Sequence, residues 1–206
     1  MKPIRILIAD DHAVVRMGLA SLLGTQDDFK VVGNAEDGEI AVKKSLALNP
    51  DVIIMDLMMP KKDGATATAE IHAALPDAKI IVLTTFGTSD GIANALNAGA
   101  TGAFMKNTPN SQIIEAIRSV VKGEKAISPD VKRLMEEDPP AKALTSRQME
   151  ILECLVRGLT NQDIAKALGI REDRVKDHVN AISSKLGAAN RTEAVAIAMR
   201  KYLLKK

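Results

Sequence analysis

The sequence predicts an α/β domain with a doubly wound, five-stranded parallel sheet over residues 1–123, followed by a small all-α domain. Two patterns predict this fold class. In the first domain, short apolar runs alternate with helical stretches, and the runs are continuously apolar. Continuous apolar strands are typical of parallel sheets that helices cover on both faces. From residue 144 onwards the pattern is helical throughout and is broken by single glycines.

Five strand–helix units account for the first domain. The predicted strands cover residues 4–10, 30–35, 51–56, 79–85 and 102–106. The predicted helices cover residues 12–24, 38–49, 65–75, 89–99 and 111–123. In a doubly wound sheet the functional crevice lies outside the carboxyl ends of the strands, so binding residues are expected there.

Residues 124–143 are predicted to be a linker between the two domains. They hold three of the chain's eight prolines and many charged side chains, with one or two helical turns at most around Val131–Met135. The segment therefore separates a domain over residues 1–123 from one over residues 144–206.

Local signals mark the helix ends of the second domain. Thr145 and Gln148 have the spacing of a capping box at the start of its first helix. Gly158 and Gly169 stand where helices end in the left-handed conformation. These signals predict several short helices joined by tight turns.

The composition excludes several classes of protein. With 46% apolar and 26% charged residues, the chain can build hydrophobic cores and is not a disordered composition. No apolar run is long enough to span a bilayer and no signal-peptide core is present, so we expect a soluble cytoplasmic protein. The single Cys154 excludes an internal disulfide and a Cys-based zinc site, and we expect it to be buried.

Charge is distributed unevenly along the chain. Residues 1–123 carry 12 basic and 14 acidic side chains, whereas residues 144–206 carry 12 basic and 7 acidic ones. A basic C-terminal domain behind a mildly acidic N-terminal one indicates that a polyanion binds the C-terminal domain.

Polar residues follow four of the predicted strands at the point where each strand ends. They are Asp10-Asp11, Asp56, Thr84-Thr85 and Lys106. Because the carboxyl ends of parallel strands lie at one edge of the sheet, these groups are expected to converge. Crowded carboxylates repel one another unless a cation lies among them, and oxygen ligands suit Mg²⁺. With a lysine and a hydroxyl beside them, they indicate a site for a phosphoryl group, with a carboxylate as nucleophile.

Each of these residues also has a structural interpretation when it is taken alone. An Asp pair after a strand is often a helix cap, Asp63-Gly64 is typical of a turn, and Lys106 suits a solvated strand end. The convergence of all of them at the ends of four strands favours the functional interpretation.

Residues 1–123 resemble the receiver domain of two-component response regulators. The matching features are the acid pair, Asp56 with Pro60 and Asp63-Gly64 after it, Thr84, AGATGAFMK, and Lys106-Asn107. The resemblance implies a flavodoxin-like fold and phosphorylation of Asp56 by a sensor histidine kinase. It also implies that Asp11, Asp56 and the backbone carbonyl of Met58 bind Mg²⁺, with Asp10 assisting.

The resemblance further implies that Thr84 and Lys106 bind the phosphoryl oxygens. One departure concerns signal transfer, because receivers commonly carry an aromatic switch residue three positions before the lysine. Here that residue is Ala103. Phe104 is adjacent, and strand alternation points it to the opposite face of the sheet.

The second domain contains a helix, a glycine turn and a second helix with early basic residues, in LTNQDIAKALGIREDRVKDHVNAISSKL. Such a unit places its second helix in the major groove of DNA. The alternative is a small helical bundle with a solvated charged face. Residues 144–203 resemble the LuxR-type helix-turn-helix of the NarL/FixJ response regulators, through LTSRQMEIL, GLTNQDIAKALGI, VKDHV and KLGAANRTEAV.

This second resemblance implies the DNA contacts. The residues that would face base edges are Lys176, Asp177 and Asn180. Those that would contact phosphates include Asn161 and Lys185. The residues of the same helix expected in the core are Val175, Val179, Ile182 and Leu186. The last helix, predicted over residues 192–203, would be a dimerisation helix.

Two arginines depart from the family pattern at the start of the recognition helix. Arg171 and Arg174 stand where the family usually has Ser or Thr. Loss of the cap costs roughly 1 kcal/mol, which Glu172 and Asp173 partly offset through the helix dipole. We expect the arginines to bind DNA phosphates; the alternative is that they pair with neighbouring acids such as Asp177 and balance charge.

Together these features predict a phosphorylation-controlled transcription regulator that binds inverted-repeat DNA as a dimer. Expected partners are a sensor histidine kinase, promoter double-stranded DNA and a second copy of the chain, with RNA polymerase as a further candidate. The chain is not expected to be an enzyme beyond its own phosphoryl transfer and dephosphorylation. A haloacid-dehalogenase-type phosphatase needs a second Asp where Met58 stands. The remaining alternative is a regulator that acts through protein contacts without phosphorylation.

Overall fold

The computed structural model describes residues 2–85, 88–142, 144–201 and 203. The chain divides into two compact units, the first ending at Asp138 and the second beginning at Pro139. No helix in these described ranges is long and apolar enough to cross a membrane.

The first unit is a parallel sheet with the strand order β2-β1-β3-β4-β5-β6. Its strands are β1 (Ile4–Ala9), β2 (Phe29–Ala35), β3 (Val52–Met55), β4 (Lys79–Thr84), β5 (Gly102–Met105) and β6 (Ala126–Ile127). Its helices are α1 (Ala13–Gly24), α2 (Gly38–Leu48), α3 (Gly64–Ala74), α4 (Ser89–Asn97), α5 (Asn110–Val121) and α6 (Pro129–Glu137). The predicted parallel α/β fold class is confirmed.

Both faces of this sheet are buried, which explains the continuously apolar strands. Leu7, Ile53 and Ile80 lie in register on β1, β3 and β4 and belong to one apolar cluster, with helices α2, α3 and α4. Ile54 and Ile81, their chain neighbours, belong to the cluster on the opposite face, with α1 and α5. Alternate side chains of each strand thus supply two separate cores.

The segment that follows α5 differs from the prediction. Residues 126–127 form a sixth strand that pairs in parallel with β5, and residues 129–137 form α6, so most of the predicted linker belongs to the first unit. Ser128 caps α6 through the backbone N–H of Val131, whose side chain is fully buried in the cluster of α2, α3 and α4. The strand was missed because two residues have no periodicity. The helix was predicted only as one or two turns around Val131–Met135, because charged residues make up much of the segment.

The second unit consists of four short helices. They are α7 (Ser146–Val156), α8 (Asn161–Leu168), α9 (Glu172–Leu186) and α10 (Arg191–Arg200). The capping box of Thr145 and Gln148 is confirmed, and so are the left-handed glycines, with φ of +79° at Gly158 and +62° at Gly169. The predicted last helix, over residues 192–203, corresponds to α10.

One apolar cluster holds these four helices together. Its fully buried members include Ile151, Leu152, Ile164, Val175 and Ile182. Cys154 is buried in the same cluster, as predicted from its place in an amphipathic helix. The predicted core residues of α9 therefore face this cluster, and the opposite side of α9 is left for other contacts.

Candidate functional site

Four neighbouring strands of the first unit deliver polar groups to one edge of the sheet. Asp10 directly follows β1, Asp56 follows β3, Thr84 ends β4 and Lys106 follows β5. Because these strands are parallel and adjacent, the four side chains converge as the sequence predicts. Asp10, Asp56 and Thr84 are only 1–3% exposed, so a buried polar site lies within an otherwise apolar sheet.

Lys106 makes the central electrostatic contact of this site. Its Nζ lies 2.6 Å from Asp10 Oδ2 and 2.8 Å from Asp56 Oδ2. Burial opposes the lysine charge, but the hydrogen bonds to these two carboxylates raise the pKa of Lys106 overall. Burial also raises the pKa of Asp56, although Lys106 acts against that shift. The ammonium thus offsets part of the cost of burying the carboxylates.

A cluster of ligand atoms lies beside this ion pair. One atom from each of Asp10, Asp11, His12 and Asp56 lies within 4.8 Å of the others. The three carboxylates are the hard oxygen donors that Mg²⁺ prefers, and the exposed Asp11 leaves room for water ligands. The donor set therefore fits the ion that the receiver resemblance implies.

His12 was not among the predicted site residues. Its Nδ1 lies 2.6 Å from Asp11 Oδ1 and 3.3 Å from Asp10 Oδ1. Its position in the sequence, directly after Asp10-Asp11, is the signal from which it could have been predicted. A single histidine has no metal-ligand spacing along the chain, so periodicity and spacing alone do not mark it.

A cavity of about 150 Å³ opens at this edge of the sheet. It is lined by His12, Asp56, Met58, Thr84, Thr85 and Lys106. Within the described ranges, Thr84 Oγ1 is buried and has no hydrogen-bond partner. A buried hydroxyl without a partner costs about 1–3 kcal/mol, so it is suited to bind a ligand oxygen. Thr108 Oγ1 is also buried and unpartnered, but it is not part of the cavity lining.

The loop after β3 explains why Asp63 and Gly64 follow the buried Asp56. Asp63 caps α3 by accepting a hydrogen bond from Thr66 N at 2.7 Å. Gly64 packs so closely that a Cβ there would lie 2.0 Å from the carbonyl oxygen of Asp56. Its N–H also donates to Leu57 O at 2.9 Å. The Asp-Gly pair therefore anchors the segment that carries Asp56, beyond forming a turn.

A small buried side chain, Ala103, occupies the position where receivers commonly carry an aromatic switch residue. Ala103 is fully buried in the cluster of α2, α3 and α4, and Phe104 is buried in the cluster on the opposite face. The predicted opposite orientation of Phe104 is confirmed. Ser128 N donates to Ala103 O at 3.0 Å, so β6 lies directly beside the switch position.

In the second unit, α8 and α9 form the predicted helix-turn-helix around Gly169. Lys176, Asp177 and Asn180 are exposed on α9, on the side away from the buried Val175. This division of faces is the one that a recognition helix requires.

The predicted phosphate-contacting residues have intramolecular partners. Arg171 pairs with Asp173, whose carboxylate it contacts through two nitrogens, and its side chain makes no cap hydrogen bond. Arg174 lies 4.0 Å from Asp177, a weaker pair on an exposed surface. These pairs match the charge-balancing alternative in the absence of DNA.

Three further predicted DNA contacts, Lys176, Lys185 and Asn161, also have partners within the second unit. Lys176 Nζ lies 3.2 Å from Glu172 Oε1. Lys185 Nζ donates to Oε1 of the buried Gln148 at 2.8 Å, and Asn161 Oδ1 accepts from Arg191 at 3.4 Å. The last two contacts join separate helices, so these residues also support the packing of the unit.

Two family descriptions match the chain. "Response regulator receiver domain" matches residues 6–118, and "Bacterial regulatory proteins, luxR family" matches residues 142–198. These ranges contain the polar strand ends of the first unit and the helix-turn-helix of the second.

Full-length relatives have the same organisation. The chain is 39% identical over 206 residues to the "Response regulator protein VraR" of Staphylococcus epidermidis (strain RP62A), covering 98% of this chain and 99% of the relative. It is 41% identical over 209 residues to the "Transcriptional regulatory protein LiaR" of Bacillus subtilis (strain 168), with the same coverage.

Solved structures agree with these relatives. The response regulator ChrA, from a heme-sensing two-component system, has a TM-score of 0.59 at 37% identity, with 99% of this chain and 100% of that chain covered. An RcsB–DNA complex gives 0.70 at 27% identity, with 97% and 99% covered. The chain therefore belongs to the NarL/FixJ family of DNA-binding two-component response regulators, in which a receiver domain precedes a LuxR-type helix-turn-helix.

Proposed function

We propose that Asp56 accepts a phosphoryl group from a phosphohistidine of a sensor kinase, with Mg²⁺ bound at the neighbouring carboxylates. The observation that carries this proposal is the convergence of Asp56, its partner Lys106 at 2.8 Å and the unpartnered Thr84 hydroxyl on one cavity. A buried nucleophile, a cation and a free donor are the groups that phosphoryl transfer needs.

The transfer exchanges one bond to phosphorus for another. An Asp56 carboxylate oxygen attacks the phosphorus, an O–P bond forms, and the N–P bond to the kinase histidine breaks, with the electron pair returning to the imidazole. Asp11, Asp56 and the Met58 carbonyl, with Asp10 assisting, would hold Mg²⁺, which would supply positive charge to the phosphoryl oxygens. Lys106 turns from the carboxylate pair to a phosphoryl oxygen.

Thr84 couples the phosphoryl group to the rest of the receiver. Its hydroxyl donates to a phosphoryl oxygen and so gains the partner that it lacks in the unphosphorylated domain. Thr84 ends β4, and α4 begins a few residues later at Ser89. Ordering of Thr84 by the phosphoryl group therefore reshapes the surface of α4 and β5 and favours dimerisation. The loop over residues 87–90, which connects β4 to α4, is expected to order together with Thr84; Gly87 lies outside the described residues.

The dimer then binds an inverted-repeat promoter site through α9. Lys176, Asp177 and Asn180 face base edges, and Asp177 accepts from a cytosine amino group. The residues that contact phosphates are Asn161, Arg171, Arg174 and Lys185. Bound at a promoter, the dimer alters transcription, with RNA polymerase as a further partner.

Labelling with a small phosphodonor tests the proposal. Incubating the chain with acetyl phosphate and Mg²⁺ should add the mass of one phosphoryl group. Asp56→Asn should abolish this gain, and chelation of Mg²⁺ should prevent it. Undiminished labelling of Asp56→Asn would refute Asp56 as the acceptor. An unlabelled wild-type chain would favour the alternative regulator that acts through protein contacts alone.

A further inference from the structure

Lys61 has an unusual backbone conformation in the loop that connects β3 to α3. Its φ is +63°, in the left-handed region that glycine adopts freely and that a side chain makes costly. The loop begins at Asp56 and contains Met58, whose carbonyl is the proposed Mg²⁺ ligand. A strained residue three positions after Met58 indicates that the surrounding structure holds the loop in this conformation.

The Lys61 side chain reaches a buried carboxylate on a different element. Its Nζ lies 2.5 Å from Oδ2 of Asp37, whose side chain is only 2% exposed. The other oxygen, Asp37 Oδ1, accepts the capping hydrogen bond from Ile40 N at 2.7 Å. One carboxylate therefore joins the start of α2 to the middle of the acceptor loop. The Lys61 hydrogen bond also lowers the pKa of Asp37, so the carboxylate is charged at neutral pH.

A second contact joins the same two segments through their backbones. Gly38 begins α2, and a Cβ at this position would lie 2.2 Å from the carbonyl oxygen of Lys62. Only glycine permits this approach. The loop is thus held at Lys61 by an ion pair and at Lys62 by close packing, while Asp63 fixes its far end as the cap of α3.

We propose that Lys61 and Asp37 are positioning residues for Mg²⁺, because together they fix the loop that carries Met58. This loop clasp, defined as the Lys61–Asp37 ion pair, holds the loop backbone at a fixed distance from the Asp10, Asp11 and Asp56 carboxylates. The inference rests on the proposed Mg²⁺-dependent phosphorylation, and it adds residues that touch neither the metal nor the phosphoryl group.

Isothermal titration of the full chain with MgCl₂ tests the clasp. Lys61→Met removes the ammonium that pairs with Asp37 but keeps a side chain at the left-handed position, so a loss of affinity does not come from the added backbone freedom of glycine. Asp37→Asn keeps the capping oxygen and removes the charge. Both variants should weaken Mg²⁺ binding about tenfold, the scale on which groups outside the metal shell act.

Lys62→Ala is the matched control, because it removes a neighbouring lysine that pairs with the exposed Glu70. Its Mg²⁺ affinity should stay within about twofold of the wild-type value. Phosphorylation by acetyl phosphate adds a second signature. The Mg²⁺ concentration for half-maximal rate should rise in the clasp variants, whereas the rate at saturating Mg²⁺ should change little.

A merely structural role predicts the reverse pattern, namely a lower unfolding midpoint and an unchanged Mg²⁺ titration. That result would overturn the clasp. If the wild-type chain binds Mg²⁺ but is not phosphorylated, the proposed function fails, and the titrations still decide whether the clasp sets Mg²⁺ affinity.

Discussion

At the residue scale, Met58 adds an apolar thioether to the otherwise polar lining of the proposed phosphoryl pocket. Met58 lines the cavity and is 48% exposed, although it offers no group that could orient a water molecule. Hydrolysis of an acyl phosphate needs a water aligned with the phosphorus, and a bulky thioether excludes it. The receiver resemblance implies that Phe86, two residues after Thr84, also flanks this path; Phe86 lies outside the described residues.

We expect the Asp56 phosphoryl group to be long-lived for this reason. Replacing Met58 and Phe86 together with polar residues should shorten its lifetime, measured as the loss of phosphoryl mass after removal of the donor. Met199→Gln changes an exposed methionine of the second unit and serves as the control. An unchanged lifetime in the double variant would reject this explanation.

The next prediction concerns how Arg171 and Arg174, at the start of α9, affect the salt dependence of DNA binding. On DNA, Arg171 must exchange its pair with Asp173 for a phosphate, and Arg174 must leave Asp177. Each Arg→Ser variant should weaken binding to all sequences alike and reduce the salt slope by about one unit per monomer. Arg133→Ser, an exposed arginine of α6, should leave the slope unchanged.

The residues proposed to face base edges should affect sequence preference and not the salt slope in the same titrations. Lys176→Ala or Asn180→Ala should change which bases are preferred, at about 1–3 kcal/mol per lost contact. Isotherms at several salt concentrations, on a selected site and on random DNA, separate the two classes. If Arg174→Ser keeps the full salt slope, the arginine balances charge within its own helix.

At the element scale, the predictions succeeded where burial is continuous. Strands β3, β4 and β5 were predicted because each is apolar on both faces, as β1 is over most of its length, and β2 was predicted from its central valines. The capping box of α7 was predicted from two residues. The pocket followed from the parallel order of the strands, since that order alone brings their ends together. The sixth strand was missed because two residues leave no periodic signal, and the length of α6 was underestimated because its packing on the first domain is a tertiary contact. For the same reason the Lys61–Asp37 pair, 24 residues apart, could not be predicted.

The packing of β6 and α6 changes the expected effect of restoring an aromatic switch. Ala103 and Val131 are both fully buried in one cluster, so Ala103→Tyr has no space to occupy. It should destabilise the receiver by about 1–3 kcal/mol, measured as a lower midpoint in denaturant unfolding. Ala73→Tyr, on the exposed side of α3, is the matched control. Unchanged stability, dimerisation and DNA affinity would show that position 103 is a bystander.

At the scale of the whole molecule, the two domains differ in charge. The basic C-terminal domain suits a polyanion, whereas the mildly acidic N-terminal domain buries a small group of charges, Lys106 with Asp10 and Asp56, at the end of its sheet. A dimer doubles the phosphate contacts of one helix-turn-helix, so dimerisation is an efficient point at which to control DNA binding.

Phosphorylation should therefore change assembly and DNA affinity together. Acetyl phosphate with Mg²⁺ should raise the dimer fraction in analytical ultracentrifugation and tighten binding to an inverted-repeat site about tenfold. Asp56→Asn, treated identically, should show neither change. Equal dimer fractions in treated wild-type and variant samples would show that phosphorylation of Asp56 does not control dimerisation.

The sixth strand has a practical consequence for building chimeric regulators from this receiver. An output domain joined after Gly123 would replace β6 and α6, leaving one side of β5 without its hydrogen-bonding partner and Ala103 without its cover. Exposed strand edges recruit other chains, so such a fusion should aggregate. Joining the new domain after Asp138, where the first compact unit ends, keeps the edge protected and the receiver intact.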